Sequence, residues 1–336
     1  MRARWVTIAL LSALVVSAQT HKKPVRHRGT ASRIAPPAFD TGQIANAQQP
    51  PIQLGANGPG VVRAQILLDR AHFSCGQIDG DFGGNLQKTV TAFQHERHLQ
   101  ESGAVDDATW AALNADTAPP ATQYTISADD EKGPFVARPG DLMKQAELPA
   151  LGYASPLDEL SERFHSSPDL MKKMNPGANF TSAGQVLTVP NVLVMPPQGP
   201  AAQVVVTKSE SSVRAYDAAG HLLAFYMATI GSEHDPLPIG QWKIKGQKKD
   251  PKFHYNASLF WDAKDTNDRA TIQPGPRNPV GLVWIDLSKP HYGIHGTPDP
   301  ALIGHATSHG CIRLTNWDAL ELASLVKPGT PAILKE

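Results

Sequence analysis

The spacing of apolar positions changes along the chain. Between Leu54 and Leu113 it is helical: Val61, Val62, Ile66, Leu67 and Phe73 share a face at i, i+4 and i+5 intervals. Val90, Phe93 and Gln94 belong to a second helix. A third starts at Asp106 or Asp107, with an acidic first turn, and carries Trp110 and Leu113. The run Gly-Gln-Ile-Asp-Gly-Asp-Phe-Gly-Gly from Gly76 is turn chemistry. Its Asp-Gly-Asp lacks the ligand spacing and closing Glu of a calcium loop. From Tyr124 to Val192 the pattern is mixed. Tyr124-Thr-Ile reads as a strand, Leu157 to Phe164 as an amphipathic helix, Ser167 to Pro176 as a second helix, and Gly184 to Pro190 as a closing strand. From Gln203 the pattern is that of strands: Val204 to Thr207, Ser212 to Tyr216, Leu222 to Thr229, Gln241 to Ile244 and Val280 to Leu287 are β-branched and aromatic runs bounded by turns. Helical spacing returns at Asn316 to Val326.

These patterns predict a multidomain chain. A mainly β domain, sandwich or barrel-like with a terminal helix, follows a small three-helix domain and a small α+β domain. The expected boundaries are 51–116, 123–193 and 203–336, with Thr117 to Thr122 as a linker. Residues 19–50, polar and without period, read as a disordered tether.

Lys plus Arg and Asp plus Glu both number 31, so formal net charge is zero, and nothing points to nucleic acid as a partner. The N-terminus has a positive start at Arg2 and Arg4, an apolar run from Trp5 to Val16, and small residues for cleavage at Val16-Ser17-Ala18. The apolar run is shorter than the roughly 20 residues of a membrane span. Residues 1–18 therefore read as a signal peptide, and the chain as exported, to the periplasm or cell wall.

Export permits a disulfide, but Cys75 and Cys311, the only cysteines, fall in different expected domains. Cys311 is read as a free thiol and Cys75 as buried and inert. Around Cys311 the sequence is rich in chemistry. Tyr292 to Leu314 contains His295, His305, His309 and Cys311, with Gly296 after His295 and Gly310 between His309 and Cys311. A thiolate can attack a carbonyl while an imidazole takes its proton. Two histidines compete for that role. His309 shares a face with Cys311 if the segment is extended, and His295 can approach from a neighbouring strand. The Gly296 carbonyl is a candidate to orient the base. Gly310 lets the backbone N–H groups of Gly310 and Cys311 approach an oxyanion. Arg313 can bind a carboxylate bidentately. The stretch is expected in loops at one end of the β domain. The rival reading is zinc, since His291/His295 and His305/His309 are each four apart; Pro298, Pro300 and Gly304 argue against a helix carrying either pair.

His295-Gly296, a spacer, then Ser308-His309-Gly310-Cys311-Ile312-Arg313-Leu314 resembles the signature of the YkuD-type L,D-transpeptidases. Pro274 to Gly281, Trp284 to Ser288, Asn316-Trp-Asp and Gly329-Thr-Pro match as well, and the likeness covers about residues 203 to 335. Leu237-Pro-Ile-Gly240 departs from the family's usual Thr-Pro-x-Gly. The resemblance implies a YkuD-like β-sandwich in which Cys311 attacks a peptidoglycan stem tetrapeptide and releases D-alanine. It makes His295 the base and Gly296 its orienter, gives His309 a catalytic part, and assigns Ser308, Gly310, Arg313 and Tyr292 to substrate. It implies no cofactor and no metal, and leaves His291 and His305 without a role. The acceptor is a second stem, an amine of a wall-attached protein, or water. A non-catalytic wall-binding protein is the remaining alternative. Residues 51–116 resemble a peptidoglycan-binding module, and 123–193 a divergent LysM module that grips glycan strands.

Overall fold

A computed structural model of the chain describes residues 39–261, 263, 265 and 267–336. The expected signal peptide, 1–18, and residues 19–38 of the tether lie outside the described residues.

The tether reading is corrected at its end. Gly42–Ala45 forms a short helix, α1. Its Ile44 is fully buried with Val62 and Ile66, and Arg63 donates from Nη1 to the Ile44 carbonyl at 2.9 Å. Phe39 and Ile44, isolated in a polar stretch, carry no periodicity, so only the packing reveals them. The helical region follows: α2 (Pro59–Arg70), strand β1 (Phe73–Ser74), α3 (Gly84–Glu96) and α4 (Asp107–Leu113). Pro59 at the first position of α2 costs no hydrogen bond. Asp106 caps α4 by accepting from the Thr109 N–H at 2.8 Å.

Next comes β2 (Ala121–Thr125), then α5 (Ala128–Lys132), α6 (Leu142–Gln145), α7 (Pro156–Arg163), α8 (Pro168–Met174) and β3 (Val186–Pro190). The two strands pair antiparallel from Ala121↔Pro190 to Thr125↔Val186, over a core of Ile126, Leu160, Phe164, Met171, Leu187 and Val189. Residues 128–154, with α5 and α6, are an excursion from this strand–helix–helix–strand unit. The expected linker is short and held: Arg70 donates to the carbonyls of Ala118 and Pro119, and β2 begins at Ala121.

The C-terminal region contains β4 (Gln203–Thr207), β5 (Ser212–Tyr216), β6 (Leu222–Met227), β7 (Thr229–Ile230), β8 (Gly240–Lys249), β9 (Phe253–Asn256), β10 (Arg269–Ile272), β11 (Val283–Leu287), β12 (Gly293–His295), β13 (Ile312–Arg313), α9 (Asn316–Leu325) and β14 (Pro331–Lys335). Ten strands join in the order β1-β6-β5-β4-β14-β8-β11-β12-β13-β7. The long β8 serves both halves: its first residues pair with β14 and its later ones with β11. β7, at the far end of that order, follows β6 after one residue. The sheet is therefore folded over on itself around β8. Alternation explains what the fold encloses. Val204, Val206, Val213, Ala215, Val283, Ile285, Ile294 and Ile312 point into one core, which α9 completes with Ala319, Leu322 and Leu325. β9 and β10 form a separate hairpin.

Both N-terminal regions are built into this body, by different chemistry. β1 adds to the sheet edge, parallel to β6, with Phe73 opposite Phe225. Phe225, Met227 and Ile303 complete the helical region's core, and the Phe73 and Phe225 rings stack at 6.2 Å. The strand–helix–helix–strand unit instead meets the C-terminal region through Arg277. That guanidinium pairs with Asp158, and with Glu162 at 2.7 Å, both on α7. Leu151 adds two backbone bonds, to Pro274 and Arg277, each of 2.9 Å.

Candidate active site

The catalytic stretch is not all loop, as expected, but is anchored on two adjacent strands. β12 and β13 run parallel, pairing Ile294 with Ile312 and His295 with Arg313. The two isoleucines are fully buried in the core. By alternation His295 and Arg313 face the other way, and Cys311, just ahead of β13, shares their side. Here Tyr292, His295, His309, Cys311 and Arg313 line one groove of about 1150 Å³. Two glycines make room at the bend. A Cβ on Gly293 would fall 2.5 Å from Trp284, and one on Gly310, whose φ is +94°, would fall 2.7 Å from Tyr292.

His295 is buried, and its ring stacks on Trp284 with centroids 5.3 Å apart. Its Nδ1 donates to the Gly296 carbonyl at 2.7 Å. That bond leaves Nε2 as the nitrogen with a lone pair. Burial, and then the Arg313 charge, pull the His295 pKa down to about 3, against the Gly296 bond, which raises it. The Cys311 thiol is pushed up by burial, opposed by a backbone hydrogen bond from Gly293 and by Arg313. At neutral pH these shifts favour a neutral imidazole and a neutral thiol over a resting thiolate–imidazolium pair. The thiol points to the His291 carbonyl at 3.7 Å. It is a free thiol, as is the buried Cys75.

His309 does not sit on an extended segment with Cys311, as the spacing alone suggests. The left-handed Gly310 turns the chain, and the His309 ring packs edge-on against Phe260 at 4.9 Å. Ser308 is buried behind the groove, its hydroxyl donating to the Cys311 carbonyl at 2.5 Å. Gly296 and Gly310 are likewise backbone around the groove rather than its lining. His305 is exposed, and His291 takes a positive φ of 67° at the hairpin before β12. No group of three or more His, Cys, Asp or Glu among the described residues is placed to hold a metal ion.

Some of the lining was not foreseen. The β9–β10 hairpin contributes Phe253, Tyr255 and Phe260, and the excursion at α6 contributes Leu142 and Met143. Lys248, Lys252 and Asp235 add charge at the groove. Two apolar residues in a polar loop leave no periodic signal.

A family described as the L,D-transpeptidase catalytic domain matches residues 201–334, and a putative peptidoglycan binding domain matches residues 57–113. A putative L,D-transpeptidase YkuD of Bacillus licheniformis is 32% identical over 176 residues, which are 52% of this chain and 90% of that protein. A probable L,D-transpeptidase YbiS of Escherichia coli is 28% identical, over 53% of this chain and 60% of that one. Among solved structures, an L,D-transpeptidase from Xylanimonas cellulosilytica covers 85% of this chain and 98% of its own, at 16% identity and a TM-score of 0.36. The family match and the Bacillus licheniformis relative define the class as that of the L,D-transpeptidases. The chain belongs to the YkuD family of L,D-transpeptidases.

Proposed function

We propose that Cys311 is the nucleophile that opens a peptidoglycan stem tetrapeptide. The observation that carries this is the placement of His295 on β12 and of Cys311 just ahead of the paired β13, both lining the groove. His295 Nε2 takes the thiol proton as sulfur attacks the carbonyl of the diamino acid at position three. The tetrahedral oxyanion forms beside the backbone N–H groups of Gly310 and Cys311. The C–N bond to D-alanine breaks, and His295 returns the proton to the leaving amine. An amine from a second stem, or from a wall-attached protein, then attacks the thioester and regenerates the thiol. A neutral imidazole suits this sequence, because it can accept a proton at the moment of attack. Arg313 is a partner for a substrate carboxylate, with Tyr292 and His309 shaping the groove. Ser308 clamps the turn that presents Cys311.

The helical region, 51–116, is read as a wall-binding module, and the unit within 123–193 as a divergent LysM module for glycan strands. A targeting segment at 1–18 would place the enzyme in the periplasm or cell wall. Purified enzyme should be incubated with a disaccharide-tetrapeptide digest beside Cys311→Ala, and the products weighed. A dimer lacking one D-alanine, absent with the variant, is the expected result. Tripeptide alone would make water the acceptor and the enzyme a carboxypeptidase. Product unchanged by Cys311→Ala would overturn the reading.

A further inference from the structure

His295 is oriented by the Gly296 carbonyl, so what holds Gly296 matters as much as the bond itself. The answer is Asn316, the first residue of α9, buried to 1% exposure. Its Oδ1 accepts from the Leu282 N–H at 3.0 Å. A Cβ on Gly296 would lie 2.1 Å from that oxygen, and one on Gly281 would lie 2.0 Å from it. Both glycines are thus laid flat against the amide. The Nδ2 end of Asn316 donates to Glu162 Oε1 at 2.8 Å and to the Pro276 carbonyl at 3.1 Å. Glu162 Oε2 in turn accepts from Arg277 Nη1 at 2.7 Å, and the same nitrogen donates to the Pro298 carbonyl at 2.9 Å. Pro298 is two residues beyond Gly296.

Glu162 does not belong to the catalytic region. It sits on α7, in the unit read as a glycan module, yet it is 6% exposed at the back of the active site. A carboxylate is costly to bury unless it is paired and hydrogen-bonded. Here both oxygens are engaged by groups of the other region. An amide with both ends occupied cannot turn about its last torsion, so Asn316 keeps its oxygen toward the glycine layer. Without Glu162, Nδ2 would retain only the Pro276 carbonyl.

We propose that Glu162 is a positioning residue for the transpeptidase reaction, acting through Asn316 to fix the Gly296 carbonyl that orients His295. The α7 unit is then a structural part of the active site as well as an attachment module. The inference rests on His295 being the base for Cys311.

The test uses the full chain with 15N-labelled histidine. Glu162→Leu is made together with Arg277→Met, so that the Arg277–Glu162 pair goes as a pair, and Glu162→Gln is the conservative comparison. Expected for the double variant is a kcat lower by about 10- to 100-fold on a soluble tetrapeptide donor, as for a misplacement near 1 Å. KM should change less than twofold. The 15N spectrum of His295 should move from the pure Nδ1–H tautomer toward a mixture. Glu162→Gln, which keeps an oxygen for Asn316, should restore most of kcat and the single tautomer. If the double variant folds with wild-type kcat and an unshifted His295 spectrum, the proposal is overturned. A rise in KM alone, with the spectrum unmoved, overturns it equally. The spectrum needs no turnover. Failure of the transpeptidase reading would show separately, as activity surviving Cys311→Ala.

Discussion

Two regions are attached to one catalytic body, and they are attached in opposite ways. The helical region joins through apolar surface: β1 extends the sheet, and Phe73, Phe225, Met227 and Ile303 share one core. The strand–helix–helix–strand unit joins through charge: Arg277 against Asp158 and Glu162, with Asn316 behind them. Apolar burial is strong but non-directional. It fixes that two bodies stay together and says little about the last half ångström. A buried ion pair contributes little net stability but is directional. The difference is matched by position. The apolar seam lies at the β1–β6 edge, whereas the charged seam is at the back of His295. A seam of each kind supplies cohesion from one and alignment from the other.

At neutral pH, truncation at the apolar seam should have the largest effect on stability. Phe225→Ala removes a ring buried to 1% exposure and should cost about 3–5 kcal/mol. Chemical denaturation measures this, and kcat on a soluble donor should hardly change. A large loss of kcat in the folded variant would break the contrast. Arg277→Met strands Glu162 as a buried, uncompensated carboxylate and should cost about 3 kcal/mol or more. Adding Glu162→Leu should recover most of that stability. If it recovers none, the seam is held by something other than the ion pair.

At neutral pH the smallest effect belongs to His295 itself, because its contribution appears only as the solution is acidified. Its folded pKa of about 3 lies below the unfolded value near 6.5. Between those limits the unfolded chain binds a proton that the folded chain refuses. This histidine therefore withdraws stability as pH falls from 6.5 toward 3, by up to about 1.4 kcal/mol per pH unit. Stability against pH should be measured for wild type and His295→Gln. The variant should fall less steeply in that window, and equal slopes would contradict a buried, neutral imidazole.

The site was largely legible in the sequence because its signal is local. Ser308 to Leu314 and His295-Gly296 concentrate rare residues beside glycines, whereas the short strands β12 and β13 that carry part of the stretch were expected as loop. What was not legible depends on distant partners. Two residues of β1 cannot announce that they will pair with β6. Residues 39–50 read as tether because only Ile44 is buried there. Within Leu157 to Phe164, Glu162 looks like the solvent face of an amphipathic helix, and only the approach of Arg277 and Asn316 makes that face internal. An extended segment would set His309 and Cys311 on one face, but the positive φ of Gly310 turns the chain, and His309 lines the groove from beside Phe260. The excursion that brings Leu142 and Met143 to the groove is polar and aperiodic, so its destination follows from Leu151 and its bonds to Pro274 and Arg277.

The central claim is that Cys311 forms a covalent bond to the donor. It is tested most directly by intact-mass spectrometry of the enzyme mixed with tetrapeptide donor, quenched in acid before an acceptor is added. A mass gain equal to the donor minus D-alanine, mapped to the peptide containing Cys311 and lost on treatment with hydroxylamine, is the predicted result. An adduct on another residue, or turnover without any adduct in both wild type and Cys311→Ala, would contradict the account.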